Sequence, residues 1–407
     1  MVDEFTNPFK PGAGHMPPHL AGRTLEEEQF RKLLKQNEIL ENLILTGLRG
    51  VGKTVLLEKF KPIAIQEKWL WVGTDLSEAV SVSEQNLATR IITDLAVVTS
   101  AFTLNAGQQT QIGFGSQETD LVQQVNYDFL IRKFDAEPGL IADKLKAILE
   151  FVWSLVKQTD RRGIIFAYDE AQNLADNAQK EQYPLGTLLD VFQSIQRKGV
   201  PFMLALSGLP TLFPKLVDAR TFAERMFRVV NLTQLSEAES RDAITKPISV
   251  AKCPIQFTAI SVEAIIGLSS GYPYFIQFIC REVYDIWIQR LGTEQEMSIP
   301  IAEITRKLDS DFFAGRWAKA TDRQRELMLV ISRLENCDSE FSVQDIVVKS
   351  ENVLTKNFTS SHANQILSAL ANAGLIYKNR HGKYMFAVPL MGDFVRRQYD
   401  AGGSIGN

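Results

Sequence analysis

The sequence predicts an α/β protein: a mostly parallel sheet with helices on both faces, then a helical segment, then three helices and a hairpin. Three observations carry this. Short apolar runs alternate with helical periodicity between residues 42 and 232. A glycine-rich segment joins the first of these runs to a helix. Beyond residue 247 the spacing turns helical, and short strand-like runs return only near residues 375–387.

In chain order, residues 1–19 are rich in Pro and Gly (Asn7-Pro8, Pro11-Gly12, Pro17-Pro18) and read as an extended arm. Thr24, with Glu27 three residues later, suits a capping box for a helix with the apolar face Leu25, Phe30, Leu33 and Leu34. Residues 42–46 form the first strand. A helix begins at Lys53 (Val55, Leu56, Phe60), and Pro62 is expected to kink or end it. Further strands are expected at 70–76, 163–168, 202–206 and 227–232, with helices at 83–98, 141–156 and 185–196. Residues 101–137 break the rhythm with Gly107-Gln108-Gln109 and Gly113-Phe114-Gly115, and read as an inserted loop or hairpin. Helices follow at 261–268, 274–288 and 301–313. Helices at 321–334, 342–348 and 360–373 and strands at 375–378 and 383–387 then spell a winged helix-turn-helix. The expected boundaries are an arm at 1–19, a core at 20–246 holding the insert, a helical lid at 247–314, a winged helix at 315–400 and a tail at 401–407.

A chain of 407 residues is long enough for two or three domains. Its net charge of −4 argues against coating nucleic acid through bulk positive charge, while leaving a local basic face open. Cys253, Cys280 and Cys337 are scattered, against a disulfide framework or a structural zinc site, and Cys280 is expected to pack as a small hydrophobe. The start Met1-Val2-Asp3-Glu4 lacks the basic and apolar regions of a secretory signal. No stretch approaches the roughly 20 apolar residues that span a bilayer. A cytoplasmic location without a membrane partner is the expectation.

Gly47-Leu48-Arg49-Gly50-Val51-Gly52-Lys53-Thr54 matches the pattern GxxxxGK[ST] in full, between a strand and a helix. The glycines let backbone N–H groups converge on phosphate oxygens, and the helix opening through Val55 adds its positive end. Lys53 is expected on the β- and γ-phosphates and Thr54 on magnesium. An ordinary Gly-rich turn is the plain alternative. Against it stands a second motif, Gly163-Ile164-Ile165-Phe166-Ala167-Tyr168-Asp169-Glu170, an apolar strand ending in two carboxylates. Asp169 is expected to hold the Mg2+ shell and Glu170 to orient and polarise the attacking water. The bland reading of that motif is a strand capped by solvated acids. Both motifs together point to a P-loop ATPase using ATP/ADP and Mg2+.

Over about residues 20–400 the chain resembles the AAA+ and STAND-like ATPases, the archaeal-type and origin-initiator-like ones in particular. The resemblance implies an α/β P-loop NTPase core with a helical lid and a C-terminal winged helix. Leu20-Ala21-Gly22-Arg23 with Glu26 to Glu28 is similar to the (V/L)xGRxxE box, which implies Gly22 and Arg23 near the adenine. Asp169-Glu170-Ala171-Gln172 is similar to the DEAQ variant of several DNA-transaction ATPases. Gly271-Tyr272-Pro273 resembles the GxP motif of the STAND group, which implies Pro273 beside the base. Ser207 resembles the sensor-1 position, with a turn or cap residue as the alternative. Arg225 resembles the arginine finger, which acting in trans requires a homo-oligomer; Arg220 and Arg228 are rivals, and a surface pairing with Glu224 or Asp218 is the plain reading. The family's sensor-2 arginine usually starts a lid helix. Here Tyr272-Pro273-Tyr274 stands there and Arg281 comes later, which favours a slow switch over a motor.

The third helix of the winged unit offers Ser360, Ser361, His362, Asn364 and Gln365, without Arg or Lys in its first turns. The wing carries Lys378, Asn379, Arg380, His381 and Lys383, a basic tip suited to the phosphates of double-stranded DNA. His381 reads as a wing residue, since one lone His makes no metal site. Packing on the core as a regulator is the alternative for this unit. The expectation is a nucleotide-gated switch. Its rivals are a DNA-binding regulator with structural nucleotide and a signalling or defence ATPase that recognises a protein partner.

Overall fold

The computed structural model describes residues 6–12, 14–106, 121–291, 298–380 and 382–401. Its strands are β1 (Asn42–Gly47), β2 (Trp69–Val72), β3 (Thr103–Ala106), β4 (Leu121–Gln124), β5 (Gly163–Tyr168), β6 (Phe202–Gly208), β7 (Phe227–Leu232), β8 (Phe341–Ser342), β9 (Ile376–Arg380) and β10 (Lys383–Phe386). Five of them form one sheet in the order β2-β5-β6-β1-β7. The pairs β2·β5, β5·β6 and β6·β1 are parallel. β7 runs the same way: Asn42 at the start of β1 bonds the Met226 carbonyl, and Gly47 at its end lies against the Leu232 carbonyl. β1, β5 and β6 are buried along their whole length, so they read as unbroken apolar runs rather than alternating ones.

The chain divides into two compact units. One holds residues 24–46 and 56–231, with the sheet at its centre. Ile44, Phe166 and Leu204 on the strands join Leu95, Leu149, Leu188 and Phe192 of the helices Glu84–Thr99, Ile141–Val156 and Pro184–Gln196 in one core. Phe30 of the helix Thr24–Leu34 stacks on Phe60, with ring centroids 4.2 Å apart. Thr24 lies inside that helix rather than capping it. The other unit holds residues 1–23, 47–55 and 232–407. Its core runs from Ile244 through Phe275 and Phe313 to Leu367 and Phe394.

Several elements depart from the sequence expectation, each for a local reason. Pro62 neither ends the helix, which runs Lys53–Gln66, nor reaches the core; its side is exposed, so the carbonyl it leaves without a donor can face water. The break at 101–137 resolves into antiparallel β3 and β4 and a helix, Tyr127–Ala136, that buries Leu130 and Phe134; the insert's centre, 107–120, lies outside the described residues. Residues 1–5, 13, 381 and 402–407 of the expected arm, wing and tail lie outside them too. The helix expected at 301–313 runs Ile301–Leu308 and then widens into a π turn over Asp309–Phe313, which presents the consecutive rings of Phe312 and Phe313. Pro247 sits within a helix, Glu237–Val250, rather than before the helical segment. The C-terminal elements are helices Asp322–Ser332, Val343–Val353 and Ser360–Asn372 and a sheet β8-β10-β9, to which Met391–Ala401 adds a helix the spacing did not reveal. No helix of the described residues is long and apolar enough to cross a membrane.

The arm lies along the helix Pro273–Arg290. Asn7 Nδ2 bonds Asp285 Oδ1 at 2.7 Å and the Arg281 carbonyl, and Lys10 N–H bonds Gln277 Oε1. Phe9 is 2% exposed in the apolar core of this unit. Phe9→Ala is therefore expected to destabilise the unit by about 3 kcal/mol, seen as a lower unfolding midpoint and faster proteolysis within residues 6–19.

Candidate nucleotide site

The loop after β1 takes its shape from its glycines. Gly50 and Gly52 have φ of +80° and +92°, the left-handed region where other residues are strained. Lys53 opens the helix and is 8% exposed. Its Nζ donates to the carbonyls of Gly47 and Leu48, each at 3.0 Å, so the ammonium is held against its own loop. Arg23 is buried and donates from Nη2 to the Val51 carbonyl at 2.9 Å and the Thr233 carbonyl at 3.0 Å. It thereby braces the loop from behind. Gly22 lies against the Glu239 carboxylate of the helix Glu237–Val250. Pro273 is in the first turn of its helix, and the next N–H, that of Tyr274, donates to the Gly50 carbonyl at 3.1 Å. Gly14 of the arm lies against the methyl of Thr54. The structure thus brings Gly22, Arg23, residues 47–55 and Pro273 into one unit.

The sheet's carboxyl edge belongs to the other unit. Tyr168 pairs with Leu206 and Leu45 with Ser207, so Asp169 is level with Ser207 on neighbouring strands. Asp169 is 5% exposed, and its Oδ1 accepts the Glu170 N–H at 2.8 Å. Glu170 has φ +50°, a left-handed conformation in a non-glycine residue. Its carboxylate accepts a bond from Gln172 Nε2, and Gln172 Oε1 accepts the N–H of Leu209 at 3.1 Å. Gln172 so ties the end of β5 to the residue after β6. Asp75 forms a bridge to Asp169 just past β2, and its carboxyl is pushed up by burial and then by Asp169 and Glu170. The sequence reading ran a strand over 70–76 and did not single out Asp75: β2 ends at Val72, and Gly73-Thr74 separate Asp75 from its apolar run, unlike Asp169, which follows β5 directly. The hydroxyls of Ser207 and Thr46 are buried without a hydrogen-bond partner among the described residues. A buried polar group left so costs about 1–3 kcal/mol.

Arg225 sits at the opposite edge. It is exposed and lines a cavity of about 520 Å³ with Glu38, Leu40, Arg197 and Met226, beside the start of β1. β1 has six residues, about 3.3 Å each, so Arg225 is roughly 20 Å from the edge that carries Ser207. Its rivals are tied: Arg220 forks onto Asp190 at 2.7 and 2.8 Å, and Arg228 onto Glu41.

In the C-terminal elements Lys378 is exposed, while Lys383 is half-buried. Arg380 is not a free cation: it forks onto Glu340 at 2.6 and 2.8 Å, and Asn379 bonds the same carboxylate. These bonds hold the Glu340 carboxyl below the usual range. Ser360, Ser361, Asn364 and Gln365 are exposed, and His362 is half-buried beside Phe358.

A parallel sheet with strand order β2-β5-β6-β1-β7 and a phosphate-type loop after β1 defines the P-loop fold of the AAA+ ATPases. The Aeropyrum pernix ORC2 protein, in an ADP form, shares it at a TM-score of 0.53 and 14% identity over 95% of this chain and 97% of that one. Also similar are the Aeropyrum pernix ORC1 protein in complex with DNA (TM-score 0.47, 14% identity, 94% of each chain) and Cdc6p from Pyrobaculum aerophilum (0.46, 14%, 95% and 97%). A family described as a domain of unknown function (DUF8462) matches residues 310–395. No curated protein matches the chain.

Proposed function

We propose that the chain is an ATP-binding, slowly hydrolysing switch whose nucleotide state governs binding of double-stranded DNA by a C-terminal winged helix. One observation carries the reading: the phosphate-type loop packs in the same compact unit as the C-terminal elements, with Tyr274 bonded to Gly50 and Arg49 against Gly374. Loop N–H groups and Lys53 would take the phosphates, with Thr54 and Asp169 as magnesium ligands. Magnesium would supply charge neutralisation at the phosphates. Glu170 would polarise the attacking water, and Ser207, its hydroxyl unpartnered, would bond the γ-phosphate or that water. The bond from Gln172 to Glu170 and the absence of an arginine at 272–274 support slow turnover. That ORC2, of the same fold, is described in an ADP form agrees with a nucleotide here. Arg225, far from its own chain's carboxyl edge, would complete the site of a neighbouring copy in a homo-oligomer.

The winged helix would read bases through Ser361, Asn364 and Gln365, with Lys378 and Lys383 on phosphates and Arg380 restrained by Glu340. Few cations imply a shallow salt dependence, with a log–log slope of about −2 to −3. The test is fluorescence anisotropy with labelled duplex DNA at two salt concentrations, with ATP, with ADP and without nucleotide. Nucleotide-dependent binding is expected. Lys378→Ala with Lys383→Ala should flatten the slope by about 2, and Glu340→Gln should release Arg380 and tighten binding several-fold. No binding in any state would overturn the DNA reading and assign the C-terminal elements to a protein partner.

A further inference from the structure

Arg49 is the third residue of the loop, and its Nε is buried without a partner among the described residues. Its Nη2 lies 3.5 Å from where a Cβ on Gly374 would stand, at the turn between the helix Ser360–Asn372 and β9. Arg316 approaches the same loop along a second route. Tyr274 is bonded to Gly50, the rings of Tyr274 and Phe312 are 5.0 Å apart, and the Arg316 guanidinium lies 4.5 Å from the Phe312 centroid. Arg316 also donates to the Phe312 carbonyl. Neither arginine has a carboxylate partner among the described residues. Several other arginines of this unit are matched: Arg380 to Glu340, Arg397 to Asp309, Arg333 to Asp400. The two guanidiniums repel, and burial together with Arg49 holds Arg316 below its ordinary value.

We infer that Arg49 and Arg316 form a two-arginine clamp for the phosphate chain of the nucleotide in the loop, and that the bound anion holds residues 310–395 to that loop. The inference rests on the nucleotide reading above. Two forks that repel in isolation are both satisfied by one multiply charged anion, since guanidinium and phosphate geometries match bidentately. ATP carries one phosphate and about one charge more than ADP, so the clamp favours ATP. Part of the family-matched region would then sense the nucleotide through Arg316 rather than through the lid helix, where no arginine stands at 272–274.

The experiment compares wild type, Arg316→Met and Arg49→Met by calorimetric titration with ATP and ADP, and by thermal unfolding without ligand, with each nucleotide and with inorganic phosphate. Met keeps an unbranched stem beside Phe312 and removes the charge. Either variant is expected to lose about ten- to a hundredfold in ATP affinity and distinctly less in ADP affinity. Without ligand its unfolding temperature should stay level or rise, because the repulsion has gone. Wild-type ATP-to-ADP ratios in both variants would overturn the clamp and leave Arg316 a packing residue. Stabilisation by inorganic phosphate as large as that by ATP would overturn it differently, showing a free-anion site independent of the loop's nucleotide. If Arg316→Met unfolds early, the ratio in Arg49→Met decides. Wild type binding neither nucleotide would sink the reading underneath, a result distinct from altered ratios in the variants.

Discussion

Lys53→Ala is expected to weaken ATP binding by about a hundredfold. The Lys53 ammonium is nearly buried and sits on the carbonyls of Gly47 and Leu48, so the loop is shaped around a positive charge at that point. Removing it takes away the charge a phosphate would meet. It also leaves two loop carbonyls short of a donor, at about 1–3 kcal/mol each where water cannot replace it. Two readouts should therefore move together: the unfolding temperature without ligand falls, and the rise produced by ATP disappears. Lys53→Arg should rescue the charge but not the affinity, since a planar fork cannot occupy the place of a compact ammonium. Titration calorimetry with ATP and magnesium checks this. Undiminished affinity in Lys53→Ala would show that the loop is a structural turn.

Glu170→Gln is expected to cut hydrolysis by about 10²- to 10⁴-fold while leaving ATP affinity close to wild type. The substitution is conservative for the fold. Glu170 accepts a bond from Gln172 Nε2, and a glutamine at 170 still offers a carbonyl oxygen for it. The left-handed backbone at 170 is set by the turn from β5 into Ala171–Asn173, not by the charge. What is lost is a base able to polarise water. Single-turnover assays with ATP should show the slowed step. In the anisotropy experiment, the ATP-dependent DNA-binding state of Glu170→Gln should persist where that of wild type decays. Equal decay in both would mean that hydrolysis does not time the switch.

Much of this was legible before any coordinates. The pattern from Gly47 to Thr54 is a contiguous run, so it is readable in the order of residues alone. The buried strands β1, β5 and β6 were visible as apolar runs because a sheet covered on both faces demands apolar residues at every position. Asp169 and Ser207 were visible because they close such runs.

Tertiary structure decided the rest, for the reason that strand register and side-chain pairing join residues far apart in the chain. Nothing in the run before Asp75 announces that it will bridge Asp169, which lies 94 positions on. Glu340 looks like any surface acid until β9 folds back and Arg380 forks onto it, turning an expected basic tip into a partly neutralised one. Arg225 precedes the strand Phe227–Leu232 in sequence, and only the pairing of that strand beside β1 shows that its amino end lies at the edge opposite Ser207. Arg316 had no motif at all; its place by the loop follows from a π turn that brings Phe312 against Tyr274. By itself the sequence determined the fold class and the place of the phosphate-type loop between a strand and a helix, since those depend on local pattern. Which charges pair with neighbours was decided only when distant segments packed together.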